Sequence, residues 1–510
     1  MRVGIDLGTT YSLTARMDAE GRPALVPDAT EPDAYHTPSV VHISQGAAFV
    51  GLVADAMLEQ DPKLQVVRFF KRQMGVPEPI FYDESGGAWF PEGISALVLK
   101  KLSFDVESLT HQPLEDVVIT VPAHFNDPQR KSTLAAAALA DISVLGLVEE
   151  PVAAALHYGV MSGLHDQVVM VYDFGGGTFD ATAMSMDSRG VYVLAKTGIT
   201  ELGGKELDEK VGAMLLEQFE RGLGHPLPMG ARTLLELRRV SEEVKIELCL
   251  PNNKRGVRKM VMLGGQAVEI EISRSEFDGS IKQYLERTEA ETMRCMSEAG
   301  LRPENVNALL LVGGSSQVPL VEERLRAVFN RPGQQVFHHE PSKAVAYGAA
   351  IHATQLAGEA LQFNLPPELR GVSGYNVGVR TLDPSTGRVA VDTLIKKNMP
   401  IPTKVNKTYY TSRPNQERMV LDFVQFRDPR EGMVGLGKLT VGPLIAPRPN
   451  YAVEVTTEYS EDGTVSVNAY DAQTGVELQH VFGRGGDDGA GHLAAQRSLV
   501  RATTVNGMVC

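Results

Sequence analysis

The chain has 510 residues, a net charge of −14, 43% hydrophobic and 22% charged residues, which is a globular balance that excludes collagen-like, fibrous and disordered classes. The acidic excess argues against nonspecific nucleic-acid binding, because phosphate attraction needs clustered Lys and Arg. Cys249, Cys295 and Cys510 lie too far apart for a CxxC pair and form neither a disulfide framework nor a zinc ribbon, so a reducing cytosol is expected. No apolar run reaches the roughly 18 residues of a membrane span. The opening MRVGIDLGTT has no signal-peptide pattern and reads as a strand entering a turn. The expectation is a cytoplasmic protein of about three folding units, with no membrane or nucleic-acid partner.

In chain order, residues 1–358 alternate short apolar runs with amphipathic helical stretches, which is an α/β pattern. The runs include 117–121 (VVITV), 168–172 (VVMVY) and 309–312 (LLLV), each followed by a Gly- or Pro-marked turn. Residues 359–374 (EALQFNLPPELRGVSG) lose periodicity and gather prolines, which predicts a linker. Residues 375–482 read as a small β domain, with turns at Asp383–Gly387 (DPSTG) and at Asp462-Gly463 between alternating segments. Residues 483–510 start glycine-rich and are weakly helical, which predicts a flexible tail.

One internal echo carries the functional reading. Residues 3–10 read VGIDLGTT and residues 171–178 read VYDFGGGT: an apolar strand, an Asp, a glycine turn and a threonine. Two such units suggest duplicated halves facing each other across a cleft. Gly8 and Gly175, Gly176 and Gly177 let backbone N–H groups approach a phosphate closely. Thr9, Thr10 and Thr178 add hydroxyl donors. Asp6 and Asp173, at strand ends, can hold the waters of a hydrated Mg²⁺. Gly313-Gly314-Ser315 follows another strand and can open a helix, whose N-terminus favours anions; Gly203-Gly204 forms a further turn. No GxxxxGK[ST] loop is present, and Gly175–Gly177 form a hairpin-like turn rather than a dinucleotide fingerprint.

Further motifs stand in order along the chain: VRFFKRQMG (67–75), VVITVPAHFNDPQR (117–130), VEEPVAAALHYG (148–159), LLLVGGSSQVP (309–319) and AVAYGAA (344–350). Together with GIDLGTTYS and VYDFGGGTFD, they closely resemble the seventy-kilodalton heat-shock chaperones of the DnaK type, within the wider actin and sugar-kinase superfamily. The resemblance is strong over the first 358 residues and weaker beyond, where LIKKNMPIPTK (394–404) carries it. It implies an actin-like ATPase domain, with duplicated ribonuclease-H-like halves forming two lobes around a nucleotide cleft, followed by a β-sandwich that binds extended peptide. Filament-forming and small-molecule-kinase readings are disfavoured by the chaperone-specific FFK, PAHFNDPQR and EEPVAAALHYG motifs.

The resemblance also implies roles. Thr9, Thr10 and Tyr11 would contact the β- and γ-phosphates of ATP, and Thr178 would bond the γ-phosphate. Asp6 and Asp173 would organise Mg²⁺ and water. Lys71 would reach the γ-phosphate and orient the attacking water, and Glu150 would position the nucleotide-bound centre. Glu242 and Lys245 would hold the ribose. Pro122 and Arg130 match the relay between domains, while Val391, Tyr409 and Ser412 align with the peptide groove. Expected partners are unfolded or extended clients, with J-domain proteins and nucleotide exchange factors as co-chaperones. The expected activity is slow hydrolysis of ATP to ADP and phosphate.

Several positions depart from the family pattern. Ile246 and Gln317 stand where two arginines sandwich the adenine, Cys249 replaces a serine and Ser342 an aspartate. Poorer base selectivity is expected. The linker lacks the Asp-Leu-Leu-Leu run, and the residues after Phe482 are too few for a helical lid. These departures favour an alternative: a nucleotide-sensing regulatory or docking module without refolding activity. The pair His338-His339 has no partner at metal-ligand spacing and reads as loop.

Overall fold

The computed structural model describes residues 1–162, 166–338, 340–358, 368–382, 389–413, 415–430, 432–444, 450–471, 474–481 and 489–507. The strand Arg2–Asp6 alternates, as period-2 geometry requires. Val3 and Ile5 enter the core of the first half. Gly4 lies against the helix Ala344–Leu356, where any side chain would overlap the Ala350 backbone.

The first half is built on a mixed sheet ordered Ser143–Glu149, Asp116–Val121, Arg2–Asp6, Tyr11–Met17, Pro23–Val26. The strands are parallel across the first three and antiparallel across the last. The second half repeats this layout with Gln335–Phe337, Ala308–Val312, Gln167–Phe174, Phe179–Met186 and Gly190–Ile199. The two echoed motifs therefore occupy equivalent central hairpins. The Ala/Gly-rich helix Ala344–Leu356 packs closely on the helix Glu150–Ser162; a Cβ at Gly348 would overlap Ala153. Small residues let the two helix backbones approach where the halves meet.

Beyond residue 374, two four-stranded antiparallel sheets share a core that includes Val377, Phe423, Tyr451, Val455 and Val467. One is ordered Val389–Ile395, Asn376–Leu382, Met419–Phe426, Val434–Val441; the other is ordered Thr403–Tyr410, Ala452–Tyr459, Val465–Asp471, Val476–Val481. The Asp462-Gly463 turn closes a hairpin, with Gly463 N–H donating to the Ser460 carbonyl at 3.0 Å. The expected turn at Asp383–Gly387 lies outside the described residues.

Two expectations are corrected. The linker region contains a strand, Glu368–Arg370, that pairs in parallel with Gly190–Ile199 and extends the second sheet; residues 359–367 lie outside the described residues. The tail also has structure. Gly489–Ala502 is a helix packed on the helices Pro91–Thr110 and Asp127–Leu139, and Thr504–Val505 joins the edge of Ala47–Val50 in parallel. Val500 and Val505 are buried in the core of the first half, which supplies the stability that weak local helicity lacks. Residues 483–488 and 508–510, including Cys510, lie outside the described residues. Among the described residues no helix is long and apolar enough to cross a membrane.

Candidate functional site

Four glycine turns converge between the halves. Gly8 leads one from the first half, where the Ser39 hydroxyl donates to its carbonyl at 2.8 Å. From the second half, Gly175 N–H donates to the Thr178 carbonyl at 3.1 Å and closes the hairpin turn. Gly204 N–H donates to Gly175 O at 2.9 Å, and Lys205 N–H to Gly176 O at 3.0 Å. The Ser315 hydroxyl donates to the same Gly175 carbonyl at 2.8 Å. Gly313, at φ +80°, lies so close to the Phe174 backbone that a side chain would collide with it. Gly176 and Gly177 face Thr10 and Thr9 from the other half, whose Cβ atoms would be 3.1 and 3.0 Å from added Cβ atoms. Two Gly–Thr turns thus confront each other, threonine side chains of one half packed against glycines of the other, which gathers backbone N–H groups and hydroxyls in one place.

Between them opens a cleft of about 1930 Å³. Its floor presents Asp6, Lys71, Glu150 and Asp173, and Gly8, Thr9, Thr10, Gly175, Gly176 and Thr178 stand beside them. Gly204, Gly313, Gly314 and Ser315 also line it, whereas Gly203 and Gly177 stack on each other behind the surface. The buried Lys71 Nζ donates to Glu150 Oε1 at 2.5 Å. Thr120 donates to Asp6 Oδ1 at 3.0 Å.

Burial pushes the Glu150 carboxyl up to about 7, with Asp6 and Asp180 repelling and Lys71 opposing. Burial also raises Asp6, against the pull of Lys71. Asp173 is held well above its ordinary value by burial and by Glu150, Asp180 and Asp6. The floor is short of positive charge. Two carboxylates there, Asp6 and Asp173, suit a hydrated divalent cation, which keeps several waters and needs no full cage of side chains.

The outer wall carries the positions matched to ribose and base. Glu242 and Lys245 line the cleft; Tyr11 O–H donates to Glu242 Oε1 at 3.4 Å, and Lys245 pairs with Asp208 at 2.7 Å. Ile246, Gln317, Cys249 and Ser342 all line the cleft, the first two exposed, so the positions that depart from the family pattern belong to it. Burial pushes the Cys249 thiol up to about 11, which leaves it a poor nucleophile. His338 pairs with Glu322 at 2.9 Å at the rim, and His339 lies outside the described residues. No group of three or more potential metal-ligating His, Cys, Asp or Glu side chains is found among the described residues.

Pro122 and Arg130 lie away from the cleft, under the β sheets. Pro122 is buried and its carbonyl accepts from Phe125 N–H at 3.1 Å. The buried Arg130 donates to Phe125 O at 3.1 Å, to Glu149 Oε1 at 2.6 Å and to the Asp462 carbonyl at 3.0 Å. Lys196 also pairs with Glu149. Asp127 accepts from Val465 N–H at 2.6 Å, and Asp462 Oδ1 accepts from Leu147 N–H at 2.9 Å. The Asp462-Gly463 hairpin is therefore seated on the first half by buried polar groups. Val391, Tyr409 and Ser412 lie at the far sheets. Tyr409 O–H donates to Asp392 Oδ2 at 3.0 Å, which links the two sheets beside Val391, and Ser412 is exposed next to the Thr403–Tyr410 strand.

Sequence reasoning missed several participants. Asp180 closes the motif VYDFGGGTFD, and its carboxylate meets His124 Nδ1 at 2.9 Å near the cleft floor. Asp208 follows the Gly203-Gly204 turn by one helical turn, a spacing that could have signalled it. Arg72, next to Lys71, is largely buried and binds Glu206 through two bonds of 2.8 and 2.9 Å.

The structure thus combines a duplicated mixed-sheet fold with paired Gly–Thr turns over a carboxylate–lysine floor. The family model described as Hsp70 protein matches residues 2–85 and 79–486. The chaperone protein DnaK of Thermosipho africanus is 33% identical over 94% of this chain and 79% of its own length. Those of Thermosipho melanesiensis and Thermotoga neapolitana are also 33% identical, over 93% and 94% of this chain and 79% and 80% of theirs. The chain belongs to the Hsp70 family.

Proposed function

We propose that this protein is an actin-like ATPase of two ribonuclease-H-like lobes that couples slow ATP hydrolysis to binding of extended apolar peptide by its β-sandwich. The observation that carries the reading is the buried Lys71–Glu150 pair and the Asp6/Asp173 carboxylates on the floor of a cleft walled by two Gly–Thr turns. In this reading backbone N–H groups of the turns, with Thr9, Thr10 and Thr178, hold the β- and γ-phosphates. Asp6 and Asp173 would hold Mg²⁺ through water, and the cation would neutralise phosphate charge. Glu150 fixes the Lys71 ammonium, which faces the γ-phosphate and steadies a water for in-line attack. Phosphoryl transfer rewards such positioning and charge stabilisation more than a strong base.

The relatives' name, chaperone protein DnaK, supports a chaperone role, with unfolded clients, J-domain proteins and nucleotide exchange factors as partners. Main-chain pairing plus a side-chain pocket would bind the client, with Val391, Tyr409 and Ser412 at the groove. A second reading, a nucleotide-sensing docking module, draws on the buried Arg130–Asp462 seat, which ties the β sheets to the ATPase half. Fluorescent-peptide binding with ADP and then ATP separates them; no peptide binding in either state favours the module.

Hydrolysis is tested by Lys71→Ala. The ammonium acts chiefly on the transition state, whereas ATP binding draws on many backbone donors, so single-turnover hydrolysis should fall by at least about a hundredfold with ATP still bound. Hydrolysis within about twofold of the parent removes Lys71 from the mechanism.

A further inference from the structure

Lys71 sits in a short 3₁₀ turn, Phe70–Gln73. Next to it, Arg72 presents its guanidinium fork to Glu206 of the opposite half, in two parallel bonds of 2.8 and 2.9 Å. Glu206 Oε2 also accepts the Gly203 N–H at 2.7 Å. Gly203 is stacked directly on Gly176 and Gly177. Arg72 touches the same turn itself, since a Cβ at Gly177 would stand 2.8 Å from its Nε. That Nε is buried and has no hydrogen-bond partner among the described residues, and Arg72 does not line the cleft. Arg72 therefore supports the phosphate turn from behind.

Two residues before Lys71 the chain is tied across the cleft as well. Phe69 holds φ +57°, a left-handed backbone that a bulky side chain seldom adopts. Its ring is approached by Lys205 Nζ at 5.3 Å and the Arg238 guanidinium at 5.5 Å, both from the second half. Another cross-cleft ion pair, Arg239–Glu59 at 2.9 Å, is half exposed on both sides and can contribute little. The mostly shielded Arg72–Glu206 fork is the rigid connection, because two parallel charge-assisted bonds fix direction as well as distance.

We propose that Arg72 and Glu206 form a cross-cleft clamp that sets the distance between Lys71 and the Gly175–Thr178 phosphate turn. They are positioning residues for hydrolysis, a role that rests on the proposed ATPase reading. With the clamp formed, Lys71 and Thr178, which stand on different halves, are brought to one spacing. Without it, each half still offers its own donors to the nucleotide, but the lysine is no longer registered against the γ-phosphate.

The test is single-turnover hydrolysis and ATP affinity, measured side by side in the full-length protein and in Arg72→Met, Arg72→Lys and Glu206→Gln. Misplacing a catalytic group by about 1 Å costs up to about a hundredfold, so hydrolysis should drop about ten- to a hundredfold in all three. ATP affinity should stay within about threefold, the split expected of a group that acts only in the transition state. Arg72→Lys should restore little, since an ammonium cannot make the fork. A purely structural role would instead lower affinity and hydrolysis together. If Arg72→Met fails to fold, the nearly isosteric Glu206→Gln decides. Hydrolysis within about twofold of the parent, or equal losses in both quantities, overturns the clamp. A parent protein that does not hydrolyse ATP overturns the ATPase reading and the clamp with it.

Discussion

Glu150 shows how one buried group carries both site chemistry and stability. Its carboxyl is raised from an ordinary 4.5 to about 7 by burial, so the folded chain keeps a proton that the unfolded chain releases. That contribution is full below about pH 4.5 and is lost as pH rises through about 7, so the nucleotide-free protein should melt lower at pH 8 than at pH 5.5. Asp6 and Asp173 are shifted in the same direction and add to the slope. Replacing Glu150 by Gln removes one titrating group and one source of repulsion on Asp173, and should flatten the dependence. Thermal melts by circular dichroism at both pH values check this; equal slopes in parent and variant would show that Glu150 titrates normally. At this scale the two Gly–Thr turns were legible because glycine and threonine at fixed offsets from an Asp form a local pattern. The Arg72–Glu206 pairing was not, since it joins residues 134 apart and neither residue type is distinctive alone.

Among the elements, the C-terminal segment departs most from its sequence. Its glycine-rich start and weak helicity give little local reason for order, and the order comes from contacts with residues about 400 positions earlier. Gln496, almost wholly buried, accepts Phe90 N–H at 3.2 Å and donates to Ala88 O at 2.6 Å, bracketing Trp89. Gly93 leaves room for the amide, since a Cβ there would overlap Gln496 Oε1. Farther on, Asn506 accepts Val50 N–H at 2.7 Å and donates to its carbonyl at 3.2 Å. The first half is therefore built around this segment. Gln496→Ala should leave a partly buried donor and acceptor without their protein partner, costing about 1–2 kcal/mol in urea unfolding. The sequence has one tryptophan, so emission from Trp89 reports the same site and should shift to the red. An unchanged midpoint together with unchanged emission would mean that the segment is not part of this fold.

For the whole molecule, the seat of the β sheets on the first half is the feature with most functional leverage. The sequence pattern supplied the strands and the Asp462-Gly463 turn, but docking depends on long-range geometry that no local periodicity encodes. Arg130 reaches the Asp462 carbonyl with Nη1 while Nη2 holds Glu149, and Glu149 is shared with Lys196 inside the same buried cluster. Removing a charge there would strand its partners, so the informative substitution lies on the hairpin. Gly463 stands at φ +72°, and a Cβ would lie 2.8 Å from the Arg130 guanidinium carbon. Arg130 is buried and bonded on three sides, so it cannot move aside. Gly463→Val combines backbone strain with this overlap and should lift the hairpin off while leaving the cleft untouched. Asp462→Ala, which loses only the bond from Leu147 N–H, gives a milder version that keeps the turn. X-ray scattering should show a larger radius of gyration for Gly463→Val than for the parent, and a smaller increase for Asp462→Ala. ATP binding should be retained in both, and any response of hydrolysis to added peptide should weaken in the same order. A Gly463→Val protein that scatters like the parent and keeps that response would show that the Arg130 seat does not carry communication between the β sheets and the cleft.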